Sequence, residues 1–154
     1  MTSARSTDGL DVRRLGDMVT QLRRGLRRRM RSASPDSTLP MAQLEVLQSL
    51  AEQEPVRMGE LADRLHLALN TVSTLSSALV RDGWVSRERA ADDRRGVLLA
   101  LTPAGHAYLD RWQRDLDAVL AEAVAELDGP ALDALRQALP ALQHIVGRLA
   151  EDRG

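Results

Sequence analysis

The sequence contains no cysteine. That excludes disulfides, thiolate metal sites and thiol-based oxidant sensing, and leaves methionine oxidation as the available sulfur switch. Phenylalanine is also absent and aromatic residues make up only 2%, so a core must be assembled from Leu, Val and Ala packed between helices. Lysine is missing too. All 21 basic residues are Arg, a bias that points to a GC-rich coding sequence before it points to chemistry. No window approaches the roughly 18 consecutive apolar residues of a membrane span, and no short apolar run follows a basic N-terminal flank, so a cytoplasmic protein without a membrane partner is expected. There is no nucleophile elbow, phosphate-cradling glycine loop or paired His–carboxylate constellation, so neither a catalytic residue nor a cofactor is expected. His66, His106 and His144 form no metal-ligand spacing, and no metal site is expected.

What is present is a globular composition of 154 residues, 44% hydrophobic and 28% charged, with a formal net charge of −1. The charge is unevenly spread. Residues 1–31 carry +6, 32–54 carry −4, 55–102 carry +1 and 103–154 carry −4. Any surface facing nucleic acid must therefore be a patch, because the whole body is not basic.

Along the chain, residues 1–9 lack periodicity and read as a frayed tail, and residues 10–54 as a pair of N-terminal helices. Leu15, Met18, Val19, Leu22 and Leu26 recur at steps of three and four, which predicts an amphipathic helix over about 11–31. Arg23, Arg24, Arg27, Arg28, Arg29 and Arg31 crowd its end. They are either a solvated face favoured by the helix C-terminal dipole or a second DNA or anion contact. After a polar loop, Leu39-Pro40 opens a second helix running to about Glu52, with Leu44, Leu47, Leu50 and Ala51 inward.

Residues 55–102 form a tight cluster of short elements. Val56-Arg57 suits a bridging strand. From Gly59 to Arg81 the pattern is helix, brief turn at His66-Leu67-Ala68, helix, which is helix-turn-helix spacing. The second helix, Asn70 to Arg81, turns Val72, Leu75 and Leu79 inward and leaves Asn70, Thr71, Ser73, Thr74 and Ser77 on the other side. Short hydrogen-bonding side chains of this kind can read base edges or phosphates. Asp82-Gly83 ends the helix. Trp84–Arg89 and Val97–Leu101 then read as two strands around a polar tip holding Asp92, Asp93, Arg94, Arg95 and Gly96. Such a hairpin is a wing, with Arg94 and Arg95 placed to meet phosphates or a narrow minor groove and Asp93 able to orient Arg95.

Residues 103–154 read as C-terminal helices. Thr102-Pro103 is a strong start, and Tyr108, Trp112, Leu116, Val119, Leu120 and Ala123 line one side of a helix reaching about Leu127. Gly129-Pro130 ends it. A last helix from Ala131 to about Ala150 carries Leu135, Leu139, Leu142, Ile145, Val146 and Leu149, with Pro140 expected to kink or divide it.

Residues 56–105 resemble the MarR (multiple antibiotic resistance regulator) family. The wing carries that family's signature of Asp, any residue, Arg, five residues and Leu-Thr as Asp93, Arg95, Leu101 and Thr102. Gly59-Glu60-Leu61-Ala62, Asn70-Thr71-Val72-Ser73 and Arg81-Asp82-Gly83-Trp84-Val85 resemble its opening helix, its reading helix and its passage into the wing. One departure is that many relatives place Arg or Lys at the positions of Thr74 and Ala78.

The resemblance implies a mainly α fold with a small β-wing, a winged helix-turn-helix flanked by N- and C-terminal dimerisation helices. It implies a bacterial, sequence-specific regulator that binds double-stranded DNA at a pseudo-palindromic operator as a homodimer. Asn70, Thr71, Ser73, Thr74, Ser77, Arg81, Asp93, Arg94 and Arg95 would be the DNA-binding residues, with Arg57 or Arg64 as a further phosphate contact. It also implies a repressor released by a small lipophilic or phenolic effector, for which Trp84, Tyr108 and Trp112 are the available rings. The competing reading is a winged-helix protein-interaction module with little or no DNA binding, suggested by the weak charge of residues 55–102.

Overall fold

The computed structural model describes residues 11–33, 39–89 and 96–151. The elements run α1 (Val12–Ala33), α2 (Met41–Glu52), β1 (Val56–Arg57), α3 (Met58–Leu65), α4 (Leu69–Arg81), β2 (Val85–Arg89), β3 (Val97–Leu101), α5 (Pro103–Ala125) and α6 (Gly129–Glu151). They fall into two compact units, residues 1–116 and 117–154, with α5 continuing from the first into the second.

The first unit holds the core. Leu47 and Leu50 of α2, Leu61 of α3, Val72 and Leu79 of α4 and Val56 and Leu99 of the strands are fully enclosed together. Each such aliphatic side chain contributes roughly 1.5–3 kcal/mol on leaving water. The strands form one antiparallel sheet in the order β1-β3-β2, with Val56 opposite Leu99, Val85 opposite Leu101 and Arg89 opposite Val97. The two residues of β1 therefore act as the expected bridge.

Three expectations about helices are corrected. Pro40 stands just before α2 with extended backbone (φ −53°, ψ 142°), and its carbonyl accepts the Gln43 and Leu44 N–H groups, so the helix begins one residue later. Ala51 is exposed, while Val46 and Ser49 are buried beside Leu44, Leu47 and Leu50, because α2 meets α3, α4 and β3 at once and buries a wider face than one stripe. Pro140 does not divide α6, which runs unbroken through it. That proline lies among exposed residues, where water can serve the carbonyl left without its helical donor.

In the second unit, Asp128 accepts the Ala131 N–H at 2.8 Å and opens α6 two residues before the expected start. Val119, Leu120, Val124, Leu132 and Leu135 are half-buried there, whereas Leu139, Val146 and Leu149 remain exposed. In α1 the expected stripe is likewise only partly covered: Met30 is buried and Leu26 half-buried, but Met18, Val19 and Leu22 are each more than half exposed.

Candidate nucleic-acid interface

The turn between α3 and α4 is set by His66, whose left-handed backbone (φ 52°) stops α3. Its N–H bonds the Asp63 carbonyl, and the Leu67 N–H bonds Ala62. Ala68 is then extended and accepts the third and fourth amides of α4, from Thr71 and Val72. At the far end Gly83 (φ 82°) donates to the Val80 carbonyl and Trp84 to the Leu79 carbonyl, the paired bonds of a Schellman stop. This hands the chain directly to β2.

Between these ends α4 buries Val72, Ser76 and Leu79 and half-buries Leu75. Asn70, Thr71, Thr74, Ser77 and Arg81 are exposed and Ser73 is half-buried, so the structure brings all six expected residues of this helix onto its outer side. Their bonding is mostly internal. Thr74 Oγ1 donates to the Asn70 carbonyl (2.9 Å), Ser77 Oγ donates to the Ser73 carbonyl (2.7 Å), and Asn70 Oδ1 accepts the Thr71 N–H (2.8 Å). The Arg81 guanidinium forks onto Asp82, Nε to Oδ1 at 2.9 Å and Nη2 to Oδ2 at 3.3 Å. That hydrogen-bonded pairing raises the Arg81 pKa and holds the Asp82 carboxyl below the usual carboxylate range.

Asp93, Arg94 and Arg95 of the expected wing tip lie outside the described residues. The hairpin stem nonetheless carries cations that sequence reasoning missed: Arg87 and Arg89 are exposed on β2, two residues apart and hence on one face of the strand. The alternation of the strand was the available signal. Arg64 turns out to be engaged elsewhere, donating to the Ser49 carbonyl at 2.9 Å and to Gln53 Oε1 at 3.2 Å, so it fastens α3 to α2.

The hairpin is fixed to α5 by a dense junction. Thr102 Oγ1 donates to the Gly83 carbonyl (2.7 Å) and accepts the Gly105 N–H (3.1 Å), acting as the expected N-cap, while its own N–H bonds the Trp84 carbonyl (3.0 Å). The Glu54 carboxylate accepts the Leu101 N–H and faces His106 Nε2 at 2.8 Å.

A cavity of about 520 Å³ lies between α1, α2 and the first half of α5, walled by Leu26, Met30, Leu44, Tyr108, Trp112 and Leu116, with Arg23, Arg27 and Arg31 also on its lining. Of the three rings expected to meet a ligand, Tyr108 and Trp112 line it. Trp84 does not; it packs against Tyr108 with ring centroids 5.1 Å apart. The Tyr108 hydroxyl accepts the Leu39 N–H at 3.1 Å.

With this geometry in view, the sequence profile described as "MarR family" matches residues 39–97, from the start of α2 into β3. The uncharacterized HTH-type transcriptional regulator YhjH of Bacillus subtilis is 32% identical over 69 residues, which span 45% of this chain but only 39% of that relative. The uncharacterized HTH-type transcriptional regulator ML2140 of Mycobacterium leprae is 26% identical across 88% of this chain and 94% of its own. Among solved structures, wild-type MarR of E. coli in its apo form superposes with a TM-score of 0.69 at 27% identity, over 86% of this chain and 96% of that one. Streptococcus pneumoniae FabT in complex with DNA shares the fold, with a TM-score of 0.69 at 20% identity over 90% and 99% of the two chains. Residues 39–97 thus resemble the MarR family, and the chain shares the fold of E. coli MarR.

Proposed function

We propose that this protein is a DNA-binding transcriptional regulator, acting as a homodimer that presents two copies of α4 to successive major grooves of a pseudo-palindromic site. The observation that carries the reading is the outer side of α4. Six polar residues face away from the core on a helix held at both ends and followed at once by a β2–β3 hairpin with exposed arginines. A helix so placed enters a major groove while the hairpin meets the adjacent backbone. The similarity to HTH-type transcriptional regulators of Bacillus subtilis and Mycobacterium leprae supports the same reading.

Dimerisation follows from the uncovered apolar residues of α1 and α6, which a second copy would bury. Asn70, Thr71, Ser73, Thr74 and Ser77 serve base readout, while Arg81, Arg87, Arg89, Arg94 and Arg95 supply phosphate contacts, with Asp93 orienting Arg95. A small lipophilic or phenolic molecule in the cavity beside Tyr108 and Trp112 releases a repressor from its operator. It does so by binding one spacing of the two heads more tightly than the other.

A gel-shift assay on random-sequence duplex DNA across a salt series tests this. Binding should weaken steeply with salt. Arg95→Ala should weaken it across all sequences, and Asn70→Ala should alter which sequences are preferred. The second reading, a protein-interaction module, is favoured by the near-neutral charge of residues 55–102. A complete absence of salt-dependent duplex binding would favour it instead.

A further inference from the structure

The outer side of α4 differs from a generic polar face in what its atoms have left to offer. At about 3.6 residues per turn, Asn70, Thr74, Ser77 and Arg81 form the line farthest from the buried Val72, Ser76 and Leu79, with Thr71 and Ala78 along one flank. Thr74 and Ser77 each spend their hydroxyl proton on the carbonyl four residues earlier. What they turn outward is oxygen lone pairs. Asn70 has its Oδ1 occupied by the Thr71 amide and keeps its Nδ2 as a donor. Arg81, the cation on this line, is forked onto Asp82 and sits 11 residues beyond Asn70, about 16 Å down the axis.

In the major groove a guanine presents acceptors alone, O6 and N7. Adenine presents the N6 amino donor beside N7, and its thymine partner adds a methyl group. Acceptor oxygens can take the amino group of adenine or of cytosine and repel the acceptor edge of guanine, and the methyl groups of Thr71, Thr74 and Ala78 beside them meet the thymine methyl, which a G·C pair lacks, so the two features together match A·T pairs.

We infer that Thr74 and Ser77 are specificity-determining acceptors, and that the middle of α4 selects A·T over G·C pairs at the centre of each half-site. The inference rests on the regulator reading above. It places base discrimination in two hydroxyl oxygens and the methyl groups beside them rather than in a basic side chain.

The test is enrichment of duplexes by the full-length protein from a random pool, followed by affinity measurements on single-base variants of the selected site. A·T pairs are expected at the half-site centre. Thr74→Val keeps the shape and methyl but removes the acceptor, and should cut discrimination of adenine from guanine at one central position by about fivefold while leaving the salt slope unchanged. Thr74→Arg supplies donors and should switch that pair to guanine by about tenfold. Helical circular dichroism and thermal melting of both variants should match those of the parent, as expected for an exposed position. Guanine at the centre of the parent's selected half-site overturns the inference and leaves the regulator reading intact, as does unchanged discrimination in Thr74→Val. A pool from which no duplex is enriched overturns both.

Discussion

The carbonyl oxygen of Trp84 occupies the space that a Cβ on Gly105 would need. That carbonyl cannot retreat freely, since it accepts the Thr102 N–H and belongs to the segment that feeds β2. Gly105 is thus required for close approach of backbone to helix, and its φ is not in question. Gly105→Ala should lower unfolding stability in urea by about 1–3 kcal/mol through this overpacking. Gly59→Ala in α3 is the control, because its Cβ would meet nothing within 4 Å, and it should change stability by less than about 1 kcal/mol.

Ser76 sits between α4 and the core with its hydroxyl enclosed and without a hydrogen-bond partner among the described residues. Enclosing an unmatched hydroxyl costs about 1–3 kcal/mol, whereas a methyl group of nearly the same size fits the space at no such cost. Ser76→Ala is therefore expected to raise the urea midpoint, by up to about 1 kcal/mol in stability, without altering duplex binding. A fall in stability would show that the hydroxyl has a partner after all.

Glu54 joins the end of β3 to the first turn of α5 by accepting the Leu101 N–H and facing His106. Glu54→Ala leaves a part-buried strand amide without its acceptor and should cost about 1–2 kcal/mol in chemical denaturation. His106→Ala should cost less, because its ring is half exposed and solvent screens the interaction. Equal losses in the two variants would mean that the strand amide is not what Glu54 serves.

Much of this was legible in the sequence for identifiable reasons. The helix-turn-helix could be read because Val72, Leu75 and Leu79 keep helical spacing, and because Gly83 and Thr102-Pro103 carry the local chemistry of a stop and a start. Buried Val46 and Ser49 were not legible, since a helix packed against three neighbours loses the single stripe that periodicity detects. Nor could spacing show that Arg64 is tied to Ser49 and Gln53, or that Trp84 stands behind Tyr108 rather than on the cavity wall. Those depend on which elements meet across the chain. The internal bonds of Thr74 and Ser77 lie between: helical spacing permits them, but only side-chain placement decides where each oxygen points.

The last prediction concerns Arg81, whose guanidinium is held by the neighbouring Asp82 carboxylate. The pairing depresses the Asp82 pKa, so the link is present at neutral pH and is lost only as pH falls through a value below the ordinary aspartate range. At neutral pH, then, a carboxylate competes with phosphate for the one cation on the outermost line of α4. Both groups are exposed, so removing the carboxylate should leave folding stability nearly unchanged. Asp82→Ala should free the guanidinium and subtract a negative charge from the outer side of α4. Duplex binding should tighten across all sequences, and the salt dependence should steepen by about one additional released counterion. A change confined to particular sequences would instead mean that Arg81 contacts a base edge, and no change at all would place it away from the duplex.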